Sequence, residues 1–374
     1  MATKRDISAL KKQKAANTLR RLNELAEQVV AQAEKGQNPT IEIPIRALSN
    51  VSWNEKSAII EMGDRTQSRT LFNVNMAKRF TQTFLVAAAC KELLDSGKTT
   101  SIRDLYYMTK HTIGKTSENT FDGQEESDPI IEDLEVTINA LREELHLFAS
   151  NRGSMVGEVT FVDAGDTIDA RRQGSGGWAV PSIVEDDVIQ FVKNDAKFIL
   201  LVEKDAVWRR LNEDKFWRKH KCILVQSGGQ PARGVRRLLR RMVDELKIPL
   251  YVLVDNDPWG LYIYSVLKQG SINLAYESVR MAVPTARFLG LSSFDRERYE
   301  LPDGSTIMLN KKDEDRAKQM MRYPWFADRK WQRELKKMLD SKVKLEIEAL
   351  SRKGITFISE EYLPRKLAER DWLV

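Results

Sequence analysis

Apolar residues recur at helical spacing through residues 6–35, where Leu19, Leu22, Leu25, Val29 and Ala33 share one side. Lys11, Lys12, Lys14, Arg20 and Arg21 crowd the first half of this segment, giving a basic arm able to touch nucleic acid or a partner, or simply a solvated helix face. Gly36-Gln-Asn-Pro39 stops the helix, and Thr40-Ile-Glu-Ile-Pro-Ile-Arg46 then alternates like a short strand, with Pro44 favouring an edge. An apolar helix is expected over 75–94, through Phe80, Phe84 and Leu85. A second begins at Ser101, which has Asp104 three residues on, close to a capping box. A third is expected over 128–148, with Ile131, Leu134, Ile138, Leu141 and Leu145 on one side, and 155–162 reads as strand among the turn glycines Gly153, Gly157 and Gly165. Three helices followed by a small hairpin is the order of a winged helix-turn-helix, a DNA-reading module.

The polar, glycine-rich stretch 169–177 is the linker candidate. No Gly-Lys-Ser/Thr follows its glycines, so it is not a phosphate-cradling loop and the chain shows no ATP site of its own. Beyond Pro181 the rhythm changes. Short apolar runs at 198–202, 222–225 and 250–254 alternate with helical stretches, including 232–246 and one opened by Pro258, which indicates a parallel α/β sheet. Leu301-Pro-Asp-Gly304 marks a turn, and Trp331, Leu335, Leu339, Val343 and Ile347 form an i,i+4 packing stripe. The expected class is therefore mixed α/β, with an N-terminal arm over 1–70, a winged-helix domain over 71–170 and an α/β domain over 171–374.

Composition narrows the function. The 374 residues, roughly two to three domains' worth, are 42% hydrophobic and 30% charged, which excludes a wholly disordered chain. No run approaches the ~20 apolar residues that cross a bilayer. The first residues lack the apolar stretch of a secretory signal, and Cys90 and Cys222 alone make no disulfide framework, so a cytoplasmic location is expected. With three scattered histidines, a structural zinc site is not expected. Sixty basic against 54 acidic residues leave +6, so a nucleic-acid partner must be sought in local basic faces.

In open α/β sheets, ligands sit beyond the carboxyl ends of the strands. Glu203 directly follows 198–202, and Asp255 and Asp257 directly follow 250–254. Three convergent carboxylates repel unless a cation lies among them, and hard oxygen donors suit Mg²⁺; the alternative is that these acids cap helices or favour turns. Between them Gly228 and Gly229 permit close backbone approach, and Arg233, Arg236, Arg237, Arg240 and Arg241 decorate the next helix, either for DNA phosphates or as a solvated face. In the Ser101 helix Arg103 and Tyr107 are four apart and share a face, whereas Tyr106 and Leu105 suit packing. A phenol titrates near ~10 and needs help to act as a nucleophile; a guanidinium beside it favours the phenolate.

Ile102-Arg-Asp-Leu-Tyr-Tyr107 resembles the catalytic motif of type IIB DNA topoisomerases. Leu201-Val-Glu-Lys-Asp205 and Val254-Asp-Asn-Asp-Pro-Trp-Gly260 resemble that family's toprim metal motifs, and residues 262–275 and Tyr362-Leu-Pro-Arg-Lys366 resemble its archaeal topoisomerase VI branch. The likeness, from about residue 70 onward, is to the A subunits, with the meiotic double-strand-break proteins as relatives. It implies a CAP-like winged helix joined to a Rossmann-like toprim domain. It also implies Tyr107 as nucleophile with Arg103 as companion, and Mg²⁺ on Glu203, Asp255 and Asp257. The implied partners are double-stranded DNA, a second copy of this chain whose carboxylates serve the first copy's tyrosine, and a separate ATPase B subunit that binds ATP, two A and two B chains together. Relatives often carry Gly-x-Pro-Asp and Thr-Arg before the arginine helix; here Ala232 and Val235 replace the Asp and Thr, while Gly229, Pro231 and Arg236 remain. The implied activity is a transient double-strand break that relaxes or decatenates DNA. A recombination-initiating relative, a toprim nuclease or primase, and a non-enzymatic DNA binder are the alternatives.

Overall fold

A computed structural model describes the backbone of residues 4–374 and the side chains of 12–374; the Lys11 side chain therefore lies outside the described residues. The chain divides into two units, 1–50 with 63–150, and 51–62 with 151–374.

In the first unit the helix Lys4–Glu34 buries Leu22 and Leu25 and ends before Gly36, whose φ of 71° a side chain would resist. Thr40–Pro44 pairs antiparallel with Thr66–Thr70 and turns Ile41 and Ile43 into the core. Three helices pack beneath: Val74–Ser96, capped by Asn73 and closed by left-handed Gly97, then Ile102–Thr109 and Gln124–Thr137. The expected helix over 128–148 stops early because Asn139 takes a positive φ of 49°. A 3₁₀ turn at Arg142–Leu145 and a two-residue strand, Leu147–Phe148, complete the segment and still bury Leu145 and Leu147.

In the second unit a six-stranded sheet runs in the order Trp178–Ala179, Ser154–Gly157, Cys222–Gln226, Phe198–Val202, Leu250–Leu253, Arg287–Gly290. The last four strands are mutually parallel, and Ser154–Gly157 runs antiparallel to Cys222–Gln226. Every residue of Phe198–Val202 is buried, as a central strand with helices on both faces requires. Arg233–Leu246 and Pro258–Gln269 pack on one face; Asp205–Glu213 and the segment around Ile358–Leu363 pack on the other.

The expected boundaries at 70/71 and 170/171 do not follow these units. The hairpin Val51–Asn54 and Ile59–Met62 joins the second unit, where Trp53 meets Trp325 at 6.0 Å. The segment expected to form a wing over 155–162 also lies there. It breaks at Gly157, where a Cβ would press into the Cys222 carbonyl, and its second half, Val159–Asp163, pairs with Asp166–Asp169 and Ile189–Asn194. The supposed linker 169–177 is fixed: Asn212 donates to the Gly174 and Ser175 carbonyls at 3.2 Å, and Gly177 lies flush against Trp208. The apolar stripe from Trp331 is helical only over Arg329–Ser341; Val343 sits in a strand, Val343–Leu345, paired with Thr306–Met308.

Candidate active site

Helix Ile102–Thr109 is set by its cap: the Ser101 hydroxyl accepts the Asp104 N–H at 3.0 Å. Successive residues of a helix point about 100° apart, so adjacent tyrosines must part company. Leu105 and Tyr106 turn inward, Tyr106 donating to the Asp122 carbonyl at 3.3 Å and accepting from Lys110 at 3.0 Å. Tyr107 turns outward, 59% exposed, its ring edge-on to that of Tyr106 at 4.9 Å. Arg103, one turn earlier, is also exposed and makes no hydrogen bond or ion pair with a described residue. Lys110, the ammonium next to the tyrosine pair, carries no signal in the sequence beyond lying one turn past Tyr106.

The acids come together through register. Val202 pairs with Leu253, so Glu203 stands beside Asp255, whose N–H donates to Glu203 Oε2 at 3.1 Å. Alternation along the extended segment sends Asp255 and Asp257 one way and Asn256 the other. Asn256 is bound to Ser293 and Glu334, away from the acids. Gly260 is required here, because a Cβ would press into the Asp255 carbonyl. Asp257 also caps helix Pro258–Gln269, accepting the Gly260 N–H at 2.6 Å, so the capping role weighed for these acids is real for one of them.

Burial, and then the neighbouring Asp255 charge, push the Glu203 carboxyl up to about 7. Burial likewise pushes Asp255 up to about 6 against the Ile347 N–H and Lys204, and it raises Asp257 against the Gly260 N–H. Lys204, which pattern alone does not single out within its motif, supplies the local positive charge. Its ammonium lies 3.0 Å from Asp255, 3.4 Å from Glu346 and 2.7 Å from Glu348. Burial pulls the Lys204 pKa down, but these carboxylates outweigh it and the net shift is upward.

Among the described residues, no three His, Cys, Asp or Glu side chains are grouped as metal ligands. Lys204 holds one face of Asp255, and Asp257 is engaged in its cap. The donor set nonetheless fits a hard cation. It is all oxygen, and two adjacent, mostly buried carboxylates are poorly compensated without one.

The arginine helix is largely committed within the chain. Arg233 pairs with Glu277, Arg237 with Glu185 at 3.0 Å, and Arg240 with Asp244 at 2.5 Å. Arg241 is buried and donates to the Val184 and Ile189 carbonyls. Arg236 is only 4% exposed and its side chain has no partner among the described residues; burial, then the Arg233 charge, pull it down to about 10.

Residues 78–147 match the family described as Type IIB DNA topoisomerase, and residues 198–367 match the Toprim domain of the topoisomerase 6 A subunit/Spo11 family. The six-stranded sheet with acids at its strand ends is thus a toprim domain, and the protein is a topoisomerase of type IIB. The chain is 42% identical to the A subunit of type 2 DNA topoisomerase 6 from Pyrococcus horikoshii, over 94% of each chain. It is 40% identical to that of Hyperthermus butylicus, over 98% of this chain and 97% of the other. To the A subunit of DNA topoisomerase 6 from Arabidopsis thaliana it is 35% identical, over 90% and 77%. The chain belongs to the family of topoisomerase 6 A subunits, whose members are DNA-cleaving subunits. Among the described residues, no helix is long and apolar enough to cross a membrane.

Proposed function

We propose that this chain cuts both strands of duplex DNA by transesterification through Tyr107 and reseals them after a second duplex has passed. The observation that carries the reading is the contrast within one helix: Tyr107 is open to solvent while Tyr106 is buried and hydrogen-bonded. The Tyr107 Oη forms a bond to a backbone phosphorus, and the P–O3′ bond breaks. The phenolic proton is matched by one gained at the departing 3′ oxygen, so no water is consumed and the step can run backwards. Arg103, on the same face, can meet the charge gathering on the attacked phosphate.

Glu203 and Asp255 would hold Mg²⁺, with Asp257 completing the set. Bound there, the ion would supply Lewis-acid stabilisation of the charge that develops in the reaction. Two copies of the chain related by a two-fold axis make the double-strand gate. With no phosphate-cradling loop in the sequence, ATP binding belongs to a separate B subunit, in an assembly of two A and two B chains working in the cytoplasm.

The test is denaturing electrophoresis of cleavage reactions with labelled duplex, Mg²⁺, ATP and the B subunit. Tyr107→Phe should give no protein-linked DNA while Tyr106→Phe retains some; the reverse pattern refutes the assignment. DNA cut without any protein link would favour a toprim nuclease instead.

A further inference from the structure

Helix Arg329–Ser341 turns four residues into the core of the second unit. Trp331, Leu335 and Met338 are apolar; the fourth, Glu334, is a carboxylate only 2% exposed. A charge at such a position is costly unless donors surround it. Three do, all of them neutral. Glu334 Oε1 accepts from the Ser293 N–H and, at 3.2 Å, from Asn256 Nδ2, while Oε2 accepts from the Ser292 hydroxyl at 2.8 Å. The Ser293 hydroxyl also meets Asn256, accepting from Nδ2 at 3.1 Å.

Asn256 stands between Asp255 and Asp257 and is itself 1% exposed. Its backbone is held as closely as its side chain: the N–H donates to the Leu345 carbonyl at 2.8 Å, and the carbonyl accepts the Leu345 N–H at 3.0 Å. Two residues further along that neighbouring segment, the Ile347 N–H donates to Asp255 Oδ1 at 2.8 Å. Side chains alternate along an extended stretch, so a rotation of residue 256 about the chain axis swings the acids on either side of it together. Glu334 bonds to neither acid. What it holds is the residue that both depend on for their direction.

We propose that Glu334 is a positioning residue: through Asn256 it fixes the direction in which Asp255 and Asp257 present their carboxylates to a divalent cation. The inference rests on the metal reading of Glu203, Asp255 and Asp257 given above. Hydrogen bonds behind a set of metal ligands are commonly worth roughly 10- to 100-fold in metal affinity. Glu334 stands one residue further back, which puts its share near the lower figure.

The direct readout is Mn²⁺ affinity of the full-length chain, taken at one fixed pH and at a temperature where circular dichroism shows each variant folded. Glu334→Ala should weaken it roughly tenfold, and Asn256→Ala by a similar factor. The double variant should be no weaker than the worse single one, because both changes cut the same link. Glu334→Gln should restore affinity to within about threefold of the parent, since its amide oxygen can accept from Asn256 and Ser293 while its NH₂ donates to the Ser292 hydroxyl. The Mg²⁺ concentration that gives half the maximal yield of protein-linked DNA should rise in step with the loss of affinity. A residue that served stability alone would lower the melting temperature and leave both metal readouts where they were. Additive losses in the double variant, a Glu334→Gln protein as weak as Glu334→Ala, or a Glu334→Ala affinity within about twofold of the parent overturns the proposal. Should Glu334→Ala fail to fold, Asn256→Ala decides, and parent-like affinity there refutes it. Mn²⁺ binding that Glu203→Ala leaves unchanged would sink the metal reading and this inference with it. Binding that needs Glu203 yet ignores both Glu334 and Asn256 would sink the inference alone.

Discussion

The raised carboxyls of the toprim edge make metal affinity steeply dependent on pH. Glu203 at about 7 and Asp255 at about 6 both carry protons at pH 5 and both lose them by pH 8. Mg²⁺ needs the ionised forms and must displace those protons. Between pH 8 and pH 5 the apparent affinity should therefore fall by about 1000-fold, or about 4 kcal/mol at 1.36 kcal/mol per tenfold. With ordinary values of 4.5 and 3.8, the same change would weaken binding by less than about twofold. The sign for the metal-free fold is opposite. Carboxyl pKa values raised by folding stabilise the protein below the unfolded values, and that contribution is lost as pH rises from about 4 through about 7. Mn²⁺ titrations of the chain from pH 5 to 8, read by calorimetry or electron paramagnetic resonance, give the slope directly. Glu203→Gln is the control: it keeps an acceptor for the Asp255 N–H, removes the higher-titrating acid, and should leave a dependence of roughly tenfold. An affinity constant within a factor of three over this range would refute the reasoning.

Lys204→Met removes the internal cation held between Asp255 and Glu348. The metal-free protein should lose on the order of 1–3 kcal/mol at pH 8, and the gain in melting temperature on adding Mg²⁺ should grow; an unchanged metal-free melting temperature contradicts this. Gly260→Ala forces a methyl into the Asp255 carbonyl. A cost of about 1–3 kcal/mol in urea unfolding should follow, with weakened metal binding, and a variant matching the parent in both removes the argument. Ser101→Ala deletes the cap of the Tyr107 helix. It should cost about 1 kcal/mol and speed hydrogen exchange of the amides at 103–105; unaltered exchange would show that the helix start does not depend on its cap.

What was legible in the sequence was local. The runs at 198–202 and 250–254 read as buried strands from their apolar continuity, and the acids that follow each could be placed at strand ends before any pairing was known. Ser101 announced its cap, and helical spacing separated Tyr106 from Tyr107. What escaped depends on distant partners. Residues 51–62 leave one unit to join the other, a non-contiguous arrangement that no linear boundary search detects. Of the strand expected over 155–162, the first half pairs with a strand more than 60 residues away, while the second half forms a hairpin with Asp166–Asp169. Lys204 gains its meaning from Glu346 and Glu348, and the arginine helix, which looks like a bare basic face, is matched by Glu185 and Glu277 from other segments. Asn139 ended a helix whose apolar period continued beyond it, because Leu145 and Leu147 are buried in other conformations.

The central claim is a covalent bond between one tyrosine and DNA. Reactions with Mg²⁺, ATP and the B subunit, stopped by denaturant and digested with nuclease and protease, can be read by mass spectrometry. The account predicts a nucleotide joined through its 5′ phosphate to the peptide carrying Tyr107. Cleaved duplex in the same tube with the nucleotide on another residue, or on none, would contradict it.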